Sequence, residues 1–363
     1  MNIKGVPHRT IWVEHDSADQ PTVWTLDQRK MPHFFDFIPL RSSNEVITAI
    51  AEMWLRGAPL IGAAAGLAVY LATTEIAENS ADWQGQIRLI AEKIRHSRPT
   101  AINLNWAVER QLSVLAKAQN LTEARSLTLN TALDIIEEDV VICENIGKHG
   151  LKIIEAISNQ NPNKIVNILT HCNAGWLACV DWGTATSPIY QAHNKGIKIH
   201  VWVDETRPRH QGALTAWELG QHGVPHTIIP DNAGGHLMQQ GLVDVCIVGT
   251  DRVTRNGDTA NKIGTYLKAL AAHDNNIPFY VALPTTTMDW TMQTGAEIPI
   301  ETRSDTEVRY AQGLHEGTLK QVLLTPETSP ALNYGFDVTP EKYITAFITE
   351  KGVFKAKELW RVS

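Results

Sequence analysis

The second part of the chain alternates short apolar, β-branched runs with segments of helical periodicity. The runs lie at 165–170, 197–203, 226–229, 243–249, 278–283 and 343–349. Strands that are almost continuously apolar are buried on both faces of a sheet. Strands separated by helices pair in parallel, through crossovers that are right-handed. This alternation therefore predicts an α/β fold with a Rossmann-like parallel sheet.

The first part of the chain has a different pattern. Two β-like runs at 10–13 and 22–26 come first, and apolar positions then recur with helical spacing. The predicted helices cover 44–55, 59–76, 83–94, 104–119 and 126–157. A chain of 363 residues is long enough for two domains. We predict a smaller, mostly helical N-terminal domain with a short β element at 1–130, and a Rossmann-like α/β domain at 131–363.

Charge and hydropathy argue against a nucleic-acid-binding protein and against a membrane protein. The formal net charge is −7 and the sequence pI is near 6.1, so the chain lacks the basic balance that nucleic-acid binding requires. The longest apolar stretch, 59–71, is shorter than the roughly 20 residues of a membrane span. No apolar signal segment is visible near the N-terminus. These features predict a soluble cytoplasmic protein with neither a nucleic-acid nor a membrane partner.

Four cysteines, Cys143, Cys172, Cys179 and Cys246, form no C-x-x-C pair and no zinc-type cluster, which favours a reducing compartment. Cys172 follows a predicted strand and precedes a turn of small residues into a helix. A helix N-terminus can activate a thiol there, whereas the alternative is a buried structural cysteine. The other three lie in apolar patterns that favour a structural role.

Polar residues follow five of the predicted strands, at the edge where ligands bind in open α/β sheets. They lie at 171–175, 204–208, 230–236, 250–262 and 284–287. Neither a dinucleotide fingerprint, nor a P-loop, nor a G-x-S-x-G elbow accompanies them, which argues against those three classes of site. The sequence therefore predicts a ligand site of another kind at this edge.

Several side chains in these segments have two interpretations each. Asp251 either takes part in acid–base chemistry or caps a turn, and its neighbours Asp258 and Lys262 favour the first interpretation. A second set consists of two histidines that are either general bases or structural, and two arginines that are either anion ligands or surface charges. That set is His171, His236, Arg207 and Arg209.

Three basic segments are candidates for binding a phosphate. In 56–59, Gly57 permits a tight turn and Pro59 opens a helix, so free amides lie beside the guanidinium of Arg56. The alternative there is an ordinary turn between helices. Lys262, next to Asn261 before a predicted helix, and Arg98, which precedes Pro99 and Thr100, supply two further cations.

Together these segments resemble the family of 5-methylthioribose-1-phosphate isomerases, whose fold is shared by the regulatory subunits of eukaryotic initiation factor 2B. The resemblance runs from about residue 27 to residue 352. Its motifs are RGAP at 56–59, RPTAINL at 98–104, THCNAG at 170–175, DETRP at 204–208, QGA at 211–213, GTDRV at 249–253, NGDTANKIGT at 256–265, FDVTP at 336–340 and ITEKG at 348–352.

The resemblance implies an aldose–ketose isomerase of methionine salvage that is a homodimer and uses no metal or nucleotide cofactor. It implies that Cys172 and Asp251 are catalytic. The substrate-binding residues that it implies are Arg56, Gly57, Ala58, Arg98, Gln211, Asn261 and Lys262.

Two alternatives stay open at this point. The sequence departs from the family pattern at Thr250 and within 231–235 and 333–335, beside the expected pocket. These departures leave 5-deoxyribose 1-phosphate and ribose 1,5-bisphosphate as alternative substrates. The other alternative is a non-catalytic regulatory protein of the same fold. For the isomerase itself, the sequence leaves open whether hydrogen moves from C2 to C1 as a proton or as a hydride.

Overall fold

The computed structural model describes residues 1–3, 5–98, 101–161 and 163–362. Over these ranges the helices are α1 (Ser43–Ala51), α2 (Ala58–Thr74), α3 (Trp83–Ser97), α4 (Ile102–Leu115), α5 (Leu121–Gln160), α6 (Ser187–Asn194), α7 (Gln211–His222), α8 (Ala233–Gln239), α9 (Thr265–Asp274) and α10 (Thr306–Arg309). None of these described helices combines the length and the apolar character that crossing a membrane demands.

The strands range from two to six residues in length. They are β1 (Asn2–Ile3), β2 (Val6–Pro7), β3 (Ile11–His15), β4 (Pro21–Leu26), β5 (Phe37–Leu40), β6 (Val166–Thr170), β7 (Ile199–Asp204), β8 (His226–Ile229), β9 (Val245–Val248), β10 (Arg252–Thr254), β11 (Thr259–Lys262), β12 (Phe279–Ala282), β13 (Met288–Asp289), β14 (Tyr310–His315), β15 (Thr318–Leu323), β16 (Phe336–Thr339), β17 (Ala346–Thr349) and β18 (Gly352–Phe354).

The chain divides into two compact units. The first contains Met1, Pro7–Cys143 and Trp176–Gly183, and the second contains Asn2–Val6, Glu144–Gly175 and Thr184–Ser363. Helix α5 is continuous from Leu121 to Gln160, so the predicted domain boundary at residue 130 falls inside one helix. The division into domains at 130 stays a prediction.

The first unit is built around α2. This helix is buried on nearly all sides, because its alanines and glycines let neighbouring helices approach closely. Helices α1, α3 and α4 pack against it, and the same unit contains the antiparallel sheet β3–β4–β5 and the first part of α5. The predicted β element is therefore present, and its third strand is β5.

The second unit contains a seven-stranded sheet with the order β18-β17-β12-β9-β6-β7-β8. The pairings are parallel throughout, apart from the antiparallel edge strand β18. All six predicted apolar runs lie in this sheet, so the predicted Rossmann-like α/β fold is confirmed. Because β6, β7 and β9 are neighbours, the segments that follow them emerge side by side at one edge.

A smaller four-stranded sheet, with the order β13-β10-β11-β16, lies in the same unit and was not predicted. Its strands β10 and β11 contain the polar segment that follows β9, which the sequence pattern suggested to be loop and helix start. The stretch 302–333 is the least patterned part of the sequence, which predicts a long loop or excursion, but in the structure it contains regular elements. That stretch contains α10 and a regular hairpin of β14 and β15, with six residue pairs from Tyr310↔Leu323 to His315↔Thr318.

A buried carboxyl group lies on α5 in the first unit. Asp139 accepts a hydrogen bond from the Val180 N–H (2.7 Å), and the Cys143 thiol lies 3.8 Å from its other oxygen. Burial raises the pKa of Asp139 to about 7, and the nearby charge of Asp181 acts in the same direction. The carboxyl group therefore keeps its proton in the folded chain at pH values where the unfolded chain has lost it.

Replacing this carboxyl with an amide tests that assignment. Because the pKa is raised on folding, ionisation of Asp139 lowers the free energy of unfolding as pH rises from about 4 to about 7. We expect Asp139→Asn to remove this loss, on the order of 4 kcal/mol across that interval. Urea denaturation at several pH values measures it. The exposed Asp134→Asn on the same helix serves as the control, and parallel pH profiles for Asp139→Asn and the parent protein would contradict the assignment.

Candidate active site

Cys172 lies two residues beyond the end of β6 and is partly exposed. Its φ angle of +68° is in the left-handed region, which side chains other than glycine seldom adopt. Two hydrogen bonds hold this conformation: the Cys172 N–H donates to Thr206 Oγ1, and the Thr215 hydroxyl donates to the Cys172 carbonyl, both at 2.8 Å. Such strain is typical of functional sites, where the surrounding structure stabilises it.

Asp251 follows β9 at the same edge and is half-buried. Its backbone N–H donates to the Ala260 carbonyl at 3.0 Å, which ties it to β11. Asp258 has a different role, because its carboxylate accepts hydrogen bonds from the backbone N–H groups of Gly295 and Glu341, each at 2.9 Å. Burial alone would raise the pKa of Asp258, but its hydrogen bonds outweigh burial and lower it. Asp258 therefore anchors two loops.

Lys262 interacts electrostatically with both of the expected catalytic residues. It lies at the end of β11 and is only 4% exposed. Burial lowers the pKa of its ammonium group, while electrostatic interactions with Cys172, Glu307 and Asp251 act in the opposite direction. The structure thus brings Lys262 within electrostatic range of both Cys172 and Asp251.

Two further predicted binding residues lie in the second unit. The Asn261 amide, on β11, is buried and donates to the Thr265 hydroxyl at 3.0 Å. Gln211 is the first residue of α7, and its buried Oε1 accepts no hydrogen bond from any described residue. A buried acceptor without a partner is costly, so Gln211 is suited to accept a hydrogen bond from a ligand hydroxyl.

The remaining predicted binding residues belong to the first unit. Gly57 precedes α2 with a φ of +103°, and a Cβ there would lie 2.3 Å from the Ala178 carbonyl oxygen, so only glycine fits. Ala58 begins α2, whose first amides have no partner within the helix. Arg56 and Arg98 are both half-buried. Pro99 and Thr100, which follow Arg98 in the third basic segment, lie outside the described residues.

The segment 302–333, here called the strap, supplies an ion cluster that sequence patterns did not indicate. Glu307 accepts hydrogen bonds from Arg303 (2.7 Å), Arg209 (2.8 Å) and Asn333 (2.9 Å). Burial alone would raise the pKa of Glu307, but the two arginines outweigh burial and hold the pKa at about 2. Since Lys262 interacts electrostatically with Glu307 and Arg303, this cluster adjoins the candidate site.

The strap also explains the two arginines whose role the sequence left open. Arg209 pairs with Glu307, and Arg207 donates to the Val308 carbonyl at 2.9 Å. Both therefore fasten the strap to the loop after β7. These partners are about 100 residues away along the chain, so no local pattern could have identified them.

Two groups of described residues place potential metal-ligating atoms within 4.8 Å of one another: Asp139, Cys143 and Cys179, and His171, Asp204 and Asp231. In the first group, hydrogen bonds already engage the carboxyl group. In the second group, the Lys268 ammonium lies 3.3 Å from Asp204 Oδ2 and supplies a positive charge. Hydrogen bonding in the first group and ion pairing in the second thus explain why these side chains lie close together.

Comparison with known proteins gives consistent matches over almost the whole chain. Residues 55–356 match the model of the initiation factor 2 subunit family. A protein of Desulfatibacillum aliphaticivorans named methylthioribose-1-phosphate isomerase is 55% identical, over 99% of this chain and 97% of that protein. The crystal structure of 5-methylthioribose 1-phosphate isomerase from Pyrococcus horikoshii OT3 has a TM-score of 0.83 and 37% identity, with 98% of this chain and 97% of that chain covered.

A second solved structure carries a different name. The translation initiation factor eIF-2B subunit delta from A. fulgidus matches with a TM-score of 0.77 and 35% identity, over 96% of both chains. The same fold thus occurs under the name of an enzyme and under that of a translation factor.

Neutralising Glu307 tests the attachment of the strap. Because its pKa is lowered on folding, the stabilisation by this carboxylate is complete above about pH 4.5 and is lost as pH falls toward 2. At neutral pH, Glu307→Gln is expected to speed amide hydrogen exchange across the strap roughly tenfold, as its bonds to two cations weaken. Mass spectrometry measures this exchange. Glu316→Gln, at the exposed hairpin tip, is the control. Equal exchange rates in the two variants would contradict the role of Glu307 in attaching the strap.

Proposed function

Because the chain belongs to the initiation factor 2 subunit family, and within it to the methylthioribose-1-phosphate isomerases, we propose that it converts 5-methylthioribose 1-phosphate to 5-methylthioribulose 1-phosphate in methionine salvage. The protein is an isomerase. The proposal of mechanism rests on the buried ammonium group of Lys262, which interacts electrostatically both with Cys172, whose backbone is strained, and with the carboxyl group of Asp251.

The substrate sets the chemical problem. Its phosphate is on the anomeric oxygen, so the sugar ring cannot open to a free aldehyde. The enzyme has to break the bond between C1 and the ring oxygen while the phosphate stays attached. It then has to move hydrogen from C2 to C1 and turn the 2-hydroxyl into a carbonyl. Four proton movements complete this isomerisation without any external oxidant or reductant.

Two titratable groups suffice for these movements. We assign the carbon protons to Cys172, whose thiolate takes the proton from C2 and whose thiol returns it to C1. We assign the oxygen protons to Asp251, which protonates the ring oxygen as the ring opens and takes the proton of the 2-hydroxyl. The cycle begins with Cys172 as the thiolate and Asp251 as the carboxylic acid, and each group returns to that state at its end, as general acid–base catalysis requires. Lys262 supplies positive charge where the intermediate is most anionic.

Substrate binding is assigned to charged and amide groups. Lys262 and Asn261 precede α9, and Gln211 presents its unpartnered oxygen to a hydroxyl. The family pattern assigns the same role to four residues of the first unit, where a guanidinium lies beside the amino end of a long helix. Those residues are Arg56, Gly57, Ala58 and Arg98. A phosphate is stabilised at such helix ends by free N–H groups and the helix dipole.

The remaining expectations complete the proposal. We propose that the protein works in the cytoplasm as a homodimer, without a metal or nucleotide cofactor and without a nucleic-acid partner. The 55% identity to a named methylthioribose-1-phosphate isomerase favours this substrate over 5-deoxyribose 1-phosphate and ribose 1,5-bisphosphate. It also favours the enzyme over the regulatory subunit, whose named relative is 35% identical.

Turnover of 5-methylthioribose 1-phosphate by the purified protein, measured as ketose formation, tests the function. We expect Cys172→Ala and Asp251→Asn each to lower kcat by about 10²- to 10⁴-fold, the usual contribution of a positioned acid or base. Cys246→Ala, at a fully buried cysteine of β9, is the matched control and should keep its activity. No ketose from folded parent protein would reject the proposed substrate. Full activity in Cys172→Ala would reject the proposed mechanism alone.

The phosphate role of Lys262 is tested separately. Lys262→Met removes a buried cation, so KM should rise by about tenfold or more, and competitive inhibition by inorganic phosphate should weaken by the same factor. Steady-state kinetics with and without phosphate give both quantities. Lys320→Met, exposed on the hairpin, is the matched control. If phosphate inhibits Lys262→Met as strongly as it inhibits the parent, Lys262 does not bind the phosphate.

A further inference from the structure

His171, the residue immediately before Cys172, is completely buried and interacts at both ring nitrogens. Nδ1 lies 2.9 Å from Asp204 Oδ2, and Nε2 lies 2.9 Å from the Ile263 carbonyl oxygen. A carbonyl oxygen can only accept a hydrogen bond, so Nε2 carries a hydrogen atom. The protonation of Nδ1 then depends on the state of Asp204.

Asp204 is held as a carboxylate. The Lys268 ammonium lies 3.3 Å from the same Oδ2 atom that faces His171, and both Asp204 and Lys268 are buried. A buried ammonium group needs an ionised partner, which Asp204 provides. An ionised carboxylate only accepts, so Nδ1 also carries a hydrogen atom.

The surrounding charges support a cation at His171. Asp231 Oδ1 lies 3.9 Å from Nδ1, and Asp337 interacts electrostatically with both His171 and Lys268. Burial raises the pKa of Asp337, so the negative charge nearest the ring comes from Asp204 and Asp231, which both face Nδ1. Asp204 Oδ1 has no hydrogen-bond partner among the described residues, so with Nδ1 unprotonated the buried Asp204 carboxylate would keep Lys268 as its one cationic neighbour among them.

The ring also connects three elements of the candidate site. It extends from the end of β6, its Nδ1 reaches the end of β7, and its Nε2 reaches the turn between β11 and α9. Gly264 in that turn has no space for a side chain, since a Cβ would lie 2.9 Å from His171 Cε1. The ring therefore sets the distance between the Cys172 backbone and the segment that contains Lys262.

From this geometry we infer that His171 is a doubly protonated positioning residue, which holds Cys172 at a fixed distance from Lys262. The ring touches neither the substrate nor the reacting atoms in this role. The inference deepens the proposed function and rests on it for its kinetic consequence. Its structural half, that both ring nitrogens carry hydrogen, is independent of what the enzyme converts.

Nitrogen-15 NMR of histidine-labelled parent protein at neutral pH tests the structural half without any mutation. We expect two protonated nitrogens for His171, identified as the resonance missing from His171→Gln. A ring with one unprotonated nitrogen overturns the inference, whether or not the protein turns over the substrate. This readout separates failure of the inference from failure of the proposed function.

Kinetics test the positioning half. His171→Gln keeps a donor group but cannot span both acceptors, and His171→Phe keeps the ring volume without any donor. Misplacing a reacting group by about 1 Å costs on the order of 10²-fold in rate. We expect both variants to lower kcat by about that factor and to change KM by less than about threefold. The loss of kcat should be smaller for His171→Gln than for His171→Phe. His315→Gln, at an exposed residue of the β14–β15 hairpin, is the control. Unchanged kcat in folded His171→Phe overturns the positioning role.

Discussion

Parallel pairing of β6 with β7 on one side and β9 on the other is the constraint on which the candidate site depends. The registers Thr170↔Val203 and Leu169↔Cys246 align the three strand ends. The segments that follow therefore emerge together, although they are far apart along the chain. The Thr206 hydroxyl, one strand away, can thus bind the Cys172 N–H and hold its left-handed backbone. Without this pairing the thiol would have neither its conformation nor its neighbours.

The second constraint is the burial of charge at this edge. A buried charge is stable only when it is paired, so the strand-end residues form linked ion pairs and hydrogen bonds. His171, Asp204 and Lys268 form one such group, and Glu307 with its two arginines forms another. The proposed chemistry benefits from the same burial, because charges interact more strongly where water is excluded. At Lys262 the two effects oppose each other, because burial lowers the pKa of its ammonium group and the neighbouring carboxylates raise it.

The fold itself does not decide the function. Structures named as an isomerase and as a translation initiation factor subunit both align with nearly the whole chain. An architecture of this kind hosts unrelated activities, so the argument for catalysis depends on individual side chains. Here it depends on a thiol and a carboxyl group that the tertiary structure brings within electrostatic range of the same ammonium group, that of Lys262.

The sequence by itself determined the elements whose signals are local. Continuous apolar runs predicted all six parallel strands, helical spacing predicted α1 to α5, and short motifs indicated Cys172, Asp251 and Lys262. Only the tertiary structure decided which groups meet. It paired Arg209 with Glu307, gave His171 two acceptors and turned the supposed loop at 302–333 into a strap. The physical reason is that hydrogen bonds and ion pairs depend on distance in space, which periodicity along the chain does not encode.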